Sequence, residues 1–186
     1  MSTKDALIAN VANYALYKEI LTDKKKLLKC MPKNAFGVFV TVKRNSKVHG
    51  CQGYWNNQFA NLEPNNLYEH LLRVAHAAMW LDDRRFNFPS IETENKIVIE
   101  IDYMYLPIKK INRQFSNVNL GIIIQDNEGK RATYLPGVFP NESLDYIVES
   151  IKMKAGIIGN QFSLFSYKIK QVAFELKMKR NRGKSL

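Results

Sequence analysis

Residues 36–55 constrain this chain more tightly than any other stretch. Phe36-Gly37-Val38-Phe39-Val40-Thr41-Val42-Lys43 alternates its faces with period two. Arg44-Asn45-Ser46-Lys47 is rich in turn formers, and Val48-His49-Gly50-Cys51-Gln52-Gly53 resumes a strand-like run. The pattern predicts a β-hairpin with Cys51, one of only two cysteines, on its second strand. Gly50 and Gly53 flank it, which marks a place where a ligand or a crossing strand comes close to the backbone. On a regular strand His49 and Cys51 leave the same face with Cα atoms about 6.5 Å apart. A catalytic Cys51 needs a base, a cation or a helix N-terminus to hold its thiolate. An i to i+2 pair on one strand does not easily reach the aligned hydrogen bond that His49 would need as that base. The other reading is a small core residue whose glycines permit tight packing.

The remaining pattern gives mixed elements. Residues 5–21 read as an amphipathic helix capped by Ser2 or Thr3, and residues 67–81 as a second, announced by Asn66 with Glu69 three positions on. Lys96 to Tyr105 alternates as a half-buried strand that Pro107 is expected to end. Leu120 to Gln125, the turn Asp126-Asn127-Glu128-Gly129 and Arg131 to Leu135 form a second expected hairpin. Asn141 or Ser143 caps a helix to about Ala155, closed by Gly156 in a left-handed conformation, and two strands, 162–170 and 171–176, follow. Hairpins separated by helices, without regular strand-helix alternation, predict an α+β fold: a largely antiparallel sheet covered by helices.

At 186 residues the chain suffices for one domain over residues 1–176, or for a main lobe and a small one, followed by a basic tail at 177–186. No run approaches the 20 or so apolar residues of a membrane helix, and the N-terminus lacks a signal-peptide core, so an intracellular, cytoplasmic location with both cysteines as thiols is expected. The formal charge of +11 has two readings: a surface that engages nucleic acid, or a lysine-rich solvated exterior. No metal site is expected: C-x-x-C and H-E-x-x-H spacings are absent, and His70 and His76 lie about 240° apart around one helix. Dinucleotide and P-loop fingerprints are absent too, so no cofactor is predicted.

Two further segments carry polar or shaped chemistry. In Asp82-Asp83-Arg84-Arg85-Phe86, Arg85 offers a planar fork for a carboxylate or phosphate. The structural alternative has Asp83 and Arg85 fastening the helix end while Phe86 plugs the core. Tyr134-Leu135-Pro136 is either a wall of a ligand cleft or a strand ending at a rigid turn.

These segments together resemble a known family. Gly37-Val38-Phe39-Val40-Thr41 with His49-Gly50-Cys51-Gln52-Gly53 is similar to the "VFVT…LRGCIG" signature of the AMMECR domain family, or AmmeMemoRadiSam system protein A. Asp83-Arg84-Arg85-Phe86 with Pro89 resembles its D-x-R-F-x-P element. Leu120-Gly121-Ile122-Ile123-Ile124 with Gly129-Lys130-Arg131-Ala132-Thr133-Tyr134-Leu135-Pro136-Gly137-Val138 resembles its "RATYLPxV" hairpin, and Lys154-Ala155-Gly156-Ile157 its "KAGL". The resemblance implies an AMMECR-type α+β domain and partners of the Memo-like and radical S-adenosylmethionine types in a modification pathway. It raises the cleft reading, lined by His49, Gly50, Gln52, Gly53, Arg85, Tyr134, Leu135 and Pro136. His49 stands where the family usually has arginine and Gln52 where it has isoleucine. Asn141-Glu142-Ser143-Leu144 likewise replaces a glutamate and a Gly-Trp pair.

Half of the residues from Lys177 to Leu186 are charged, and too few are apolar to offset the entropy of ordering. Deleting the residues after Lys177 should leave the melting temperature nearly unchanged, and a loss above about 2 kcal/mol would assign the tail a structural role.

Overall fold

The computed structural model describes residues 2–88, 96–112 and 119–177. The described residues of Met1–Tyr103 with Gln171–Leu186 form one compact unit, and those of Met104–Lys170 a second. Six strands make one sheet in the order β2-β1-β3-β6-β4-β5: β1 (Ala35–Arg44), β2 (Lys47–Trp55), β3 (Lys96–Ile111), β4 (Gly121–Asp126), β5 (Arg131–Tyr134) and β6 (Phe162–Lys177). The β1–β2, β4–β5 and β4–β6 pairs are antiparallel. With four α-helices among the described residues, α1 (Thr3–Tyr17), α2 (Lys24–Leu28), α3 (Pro64–Trp80) and α4 (Leu144–Ala155), the fold is α+β, as the sequence predicts.

In the first unit α3 packs on β1 and β2, and α1 packs on α3. Val38, Val40 and Val42 are fully buried, as are Leu67, Leu71, Ala75 and Ala78 of α3. Polar ties pin the helices within this apolar layer. Asn10 Nδ2 donates to Tyr68 Oη (2.8 Å), while Asn10 Oδ1 accepts the backbone N–H groups of Leu21 (2.7 Å) and Thr22 (3.0 Å). Those two bonds explain why α1 stops at Tyr17 rather than near residue 21. Lys18 turns left-handed (φ 58°), and the chain folds back onto Asn10. At its start, Ser2 and Asp5 form a reciprocal capping box.

Helix α3 begins earlier than the Asn66/Glu69 pattern suggests. Pro64 occupies the first turn, where its missing N–H costs nothing, and Glu63 is the cap without a side-chain bond. Strand β3 runs on through Pro107, because proline removes one donor but keeps a φ that extended chain tolerates. Residues 162–177 form one strand, not two.

The second unit sets Ile122, Ile124, Ala132 and Leu164 of its strands against Ile147, Val148 and Ile151 of α4. Ser143 caps α4 by accepting the N–H of Tyr146 (3.2 Å), and Gly156 (φ 67°) closes it, both as expected. The residues beyond Lys177, and Pro89, lie outside the described residues.

Asp102 is a buried carboxyl in the first unit, accepting a hydrogen bond from Gln171 Nε2 (3.0 Å). Burial lifts it to about 6, aided by the nearby charge of Glu100 and opposed by Gln171 and Lys43. The folded value therefore exceeds the unfolded one, about 3.9. Its stabilising contribution is fully present below about pH 4 and is lost as pH rises through 6, roughly 3 kcal/mol in all. Asp102→Asn should flatten that part of the stability profile and gain stability at pH 7, read by urea unfolding at pH 4.5 and 7. An unchanged slope would contradict this assignment.

Candidate functional site

The Gly-Cys hairpin is built around a bulge. Register runs Thr41↔Cys51 and Val42↔Gly50, then jumps to Lys43↔Val48, so His49 is the extra residue on β2. The bulge overturns the expectation that His49 and Cys51 share a face. The buried His49 donates from Nε2 to the Met79 carbonyl at the end of α3 (2.9 Å), and a Cβ on Gly50 would collide with the Ala78 carbonyl oxygen. Both positions thus face α3. Cys51 turns to the opposite face, where its Sγ accepts a bond from Thr41 Oγ1 (3.2 Å) and where a Cβ on Gly53 would run into the Phe39 ring. The two glycines therefore answer to a helix and to an aromatic ring. His49 is held below its usual pKa chiefly by burial, with the Arg44 and Arg85 charges adding to this, against the Met79 bond and Asp82. Its ring lies 5.2 Å from that of Phe88, over which the buried Arg44 guanidinium also sits at 5.2 Å.

Asp82, rather than Asp83, fastens the segment after α3. Its carboxylate accepts the Cys51 N–H (3.0 Å), the Arg84 N–H (3.0 Å), Arg84 Nε (2.8 Å) and Arg84 Nη2 (2.6 Å), and that Nη2 also reaches the Cys51 carbonyl (3.3 Å). These bonds, those from the Arg84 side chain first, hold Asp82 well below the usual carboxylate range despite its burial. Asp83 is exposed, and Phe86 is 72% exposed, so Phe86 does not plug the core. Instead Arg85 lays its guanidinium over the Phe86 ring at 4.3 Å, because a 3-10 turn over Asp83–Asn87 sends both side chains outward from the helix end.

A cleft of about 420 Å³ opens where α1, α3 and β2 meet. Its β2 wall is Gln52, Gly53 and Tyr54, its α1 edge Tyr14 and Lys18, and α3 supplies His70, Arg73, Val74, His76 and Ala77, with Leu81 just beyond. Tyr54 and His70 stack with centroids 3.4 Å apart and planes 9° from parallel, and Tyr14 meets His76 edge-on at 6.4 Å. Burial, with the Arg73 charge, lowers the His70 pKa, and burial with Lys18 lowers that of His76, so both imidazoles are neutral near pH 7. Of the sequence-predicted residues, Gln52 and Gly53 line this cleft. The α1 and α3 residues escaped sequence reading. Their signal is the stripe His70, Arg73, Val74, Ala77, Leu81 at helical spacing, distinct from the buried stripe Leu67, Leu71, Ala75, Ala78.

In the second unit Tyr134 and Leu135 line a cavity of only about 20 Å³, room for about one water. Tyr134 Oη pairs with Ser150 Oγ (2.9 Å), Lys154 Nζ lies 4.6 Å from the ring centroid, and Gly137 (φ 75°) turns the chain after Pro136. Among the described residues no group of three or more His, Cys, Asp or Glu side chains could hold a metal ion. No helix among them is long and apolar enough to cross a membrane.

Sheet, helices and the clasped Gly-Cys hairpin define an α+β domain of AMMECR type. The chain belongs to the AMMECR1 family, whose model matches residues 6–177. It is similar in fold to the crystal structure of an uncharacterized protein, PH0010, from Pyrococcus horikoshii. The two share 18% identity at a TM-score of 0.63, over 92% of this chain and 88% of that one. No curated protein matches it.

Asp82 yields a prediction with a definite sign. A depressed folded value contributes stability above the unfolded value of about 4, which is lost as pH falls below it. With Arg84 half exposed, Asp82→Asn should cost about 1–2 kcal/mol at pH 7 and make acid unfolding less steep below pH 4. Equal losses at pH 3 and pH 7 would show that the carboxylate charge is not what matters.

Proposed function

We propose that this protein is a ligand-binding domain that holds a small molecule non-covalently in the cleft bounded by Gln52, Gly53 and Tyr54, without using Cys51 as a nucleophile. The observation that carries this reading is the cleft itself: its volume of about 420 Å³ falls in the range of small-molecule sites, with aromatic walls and a few polar groups. Against a cysteine enzyme stands the orientation of His49, whose Nε2 is committed to the Met79 carbonyl on the face away from the Cys51 sulfur. The cleft lies one residue along β2 from Cys51, so the reading keeps the expected neighbourhood and changes the role. His49 and Gly50 become supports of the hairpin and helix end, Arg85 a partner of the exposed Phe86 ring, and Tyr134, Leu135 and Pro136 parts of the second unit's own packing. The family resemblance suggests the setting, an intracellular modification pathway with Memo-like and radical S-adenosylmethionine partners.

Nucleic-acid binding through the basic surface is the competing reading. It rests on net charge alone, an excess of cations beyond those paired as in Lys24–Glu69 (2.6 Å) and Lys43–Glu100 (2.7 Å). Such binding should collapse between 50 and 200 mM salt, by orders of magnitude for several phosphate contacts.

Native mass spectrometry of the purified protein tests the proposal. A small-molecule increment should be present in wild type and in Cys51→Ala, lost on collisional activation, and absent from Ala77→Trp, which fills the cleft. An increment that survives denaturation and vanishes only in Cys51→Ala would overturn it in favour of covalent chemistry.

A further inference from the structure

We infer that the ligand of this cleft is a planar anion: an aromatic or heterocyclic ring bearing a carboxylate or a phosphate. The inference rests on the cleft being a ligand site and adds its chemical selectivity. Lys18 and Arg73 border the cleft, and among the described residues no carboxylate lines it. The nearest acid on α3, Glu69, is committed elsewhere: it accepts from Lys24 Nζ (2.6 Å) and from Asn65 Nδ2 (3.2 Å). The lining thus carries a formal charge of about +2 with its histidines neutral, a field that concentrates anions and repels cations. Lys18 holds its place through the backbone, as the left-handed residue that ends α1 with its N–H on the Tyr14 carbonyl (3.0 Å). Arg73 presents a fork suited to carboxylate or phosphate oxygens.

The flatness follows from the rings. Tyr54 and His70, nearly parallel and in contact, form a stacked pair anchored on β2 and α3, and Tyr54 keeps 38% of its surface exposed. Tyr14 and His76 add a second pair at right angles. Planar ligands gain from stacking on such rings without needing a specific hydrogen-bond pattern. A ring to occupy the aromatic wall and an anion to meet Lys18 and Arg73 together use what the cleft offers, and its volume is that of a metabolite.

The experiment is a titration of the full-length protein in 150 mM salt, followed by the amide signals of Gln52, Gly53 and Tyr54 and the imidazole signals of His70 and His76. The probes are three planar anions, benzoate, indole-3-acetate and adenosine 5′-monophosphate, each beside its neutral counterpart, benzamide, indole-3-acetamide and adenosine. At least one anion should bind about tenfold or more tightly than its counterpart. The double substitution Lys18→Gln with Arg73→Gln, both on exposed side chains, should erase that difference, whereas Lys25→Gln with Lys26→Gln, equal in charge but on α2, should not. If each pair binds alike, or the α2 variant erases the difference equally, the charge selectivity is overturned while the ligand cleft stands. If no probe moves these signals and Ala77→Trp leaves the native mass unaltered, the cleft reading itself falls. Tighter binding of an adenine octanucleotide than of the monophosphate at the same signals would overturn the small-molecule class in favour of single-stranded nucleic acid.

Discussion

The carboxylate of Asp82 does for β2 what a neighbouring strand would otherwise do. β2 lies at the end of the sheet, so among the described residues one side of its backbone lacks a strand partner. Opposite Thr41, the N–H and C=O of Cys51 point outward, and Asp82 accepts the first while Arg84 donates to the second. An acceptor and a donor, locked to each other by two further bonds between their side chains, mimic one rung of a ladder. Exposed edges invite pairing with other chains, and this rung covers the edge at the hairpin's most irregular point, just past the bulge. It also ties the C-terminal end of α3 to β2. The Gln52–Tyr54 wall of the cleft and its α3 wall are thereby held in one register.

The close approach that makes this clasp reachable comes from Gly50. Any side chain there would strike the Ala78 carbonyl, so only glycine lets the last turn of α3 descend onto the strand. His49 then uses the bulge to reach Met79 on the same turn, and the Phe88 ring closes over His49 and Arg44. The His-Gly-Cys run is a docking surface for a helix end. An arginine in place of His49 would also bring donors toward the terminal carbonyls of α3, where positive charge is favourable. The helix terminus is thus a partner for either side chain.

How far the sequence reveals this depends on whether the deciding force is local. The two hairpins, the Ser143 cap and the Gly156 terminus are legible because alternation, capping and left-handed glycine act within a few residues. The single strand at residues 162–177 and the passage of β3 through Pro107 are not, because neighbouring strands decide where a strand ends. Parity failed at His49, since one inserted residue reverses every inference about faces, and Gly-rich runs conceal insertions. Asp82 and Asp83 are indistinguishable until the chain direction after α3 is known, and that direction sets Asp82 on Cys51 and Phe86 outward. The cleft was the least legible part. Only Gln52, Gly53 and Tyr54 of its lining lie in the hairpin, and an angular separation of about 240° between His70 and His76 excludes a shared metal ion without excluding a cleft wide enough to touch both.

Cys51 is accordingly a residue with two separate duties at one position, beside a neighbour that serves the cleft. Its backbone N–H and C=O complete the edge of the sheet, its sulfur takes the Thr41 hydroxyl on the face away from α3, and its successor Gln52 faces the cleft. The second duty involves the thiol, and for it a small, weakly accepting side chain suffices. The hydrogen bonds to Asp82 and Arg84 would form with any residue that fits beneath them, since they read the main chain alone. A cysteine framed by glycines draws attention as chemistry. In this hairpin the glycines admit a helix and a phenylalanine ring, and the backbone between them carries the structural weight that the sulfur does not.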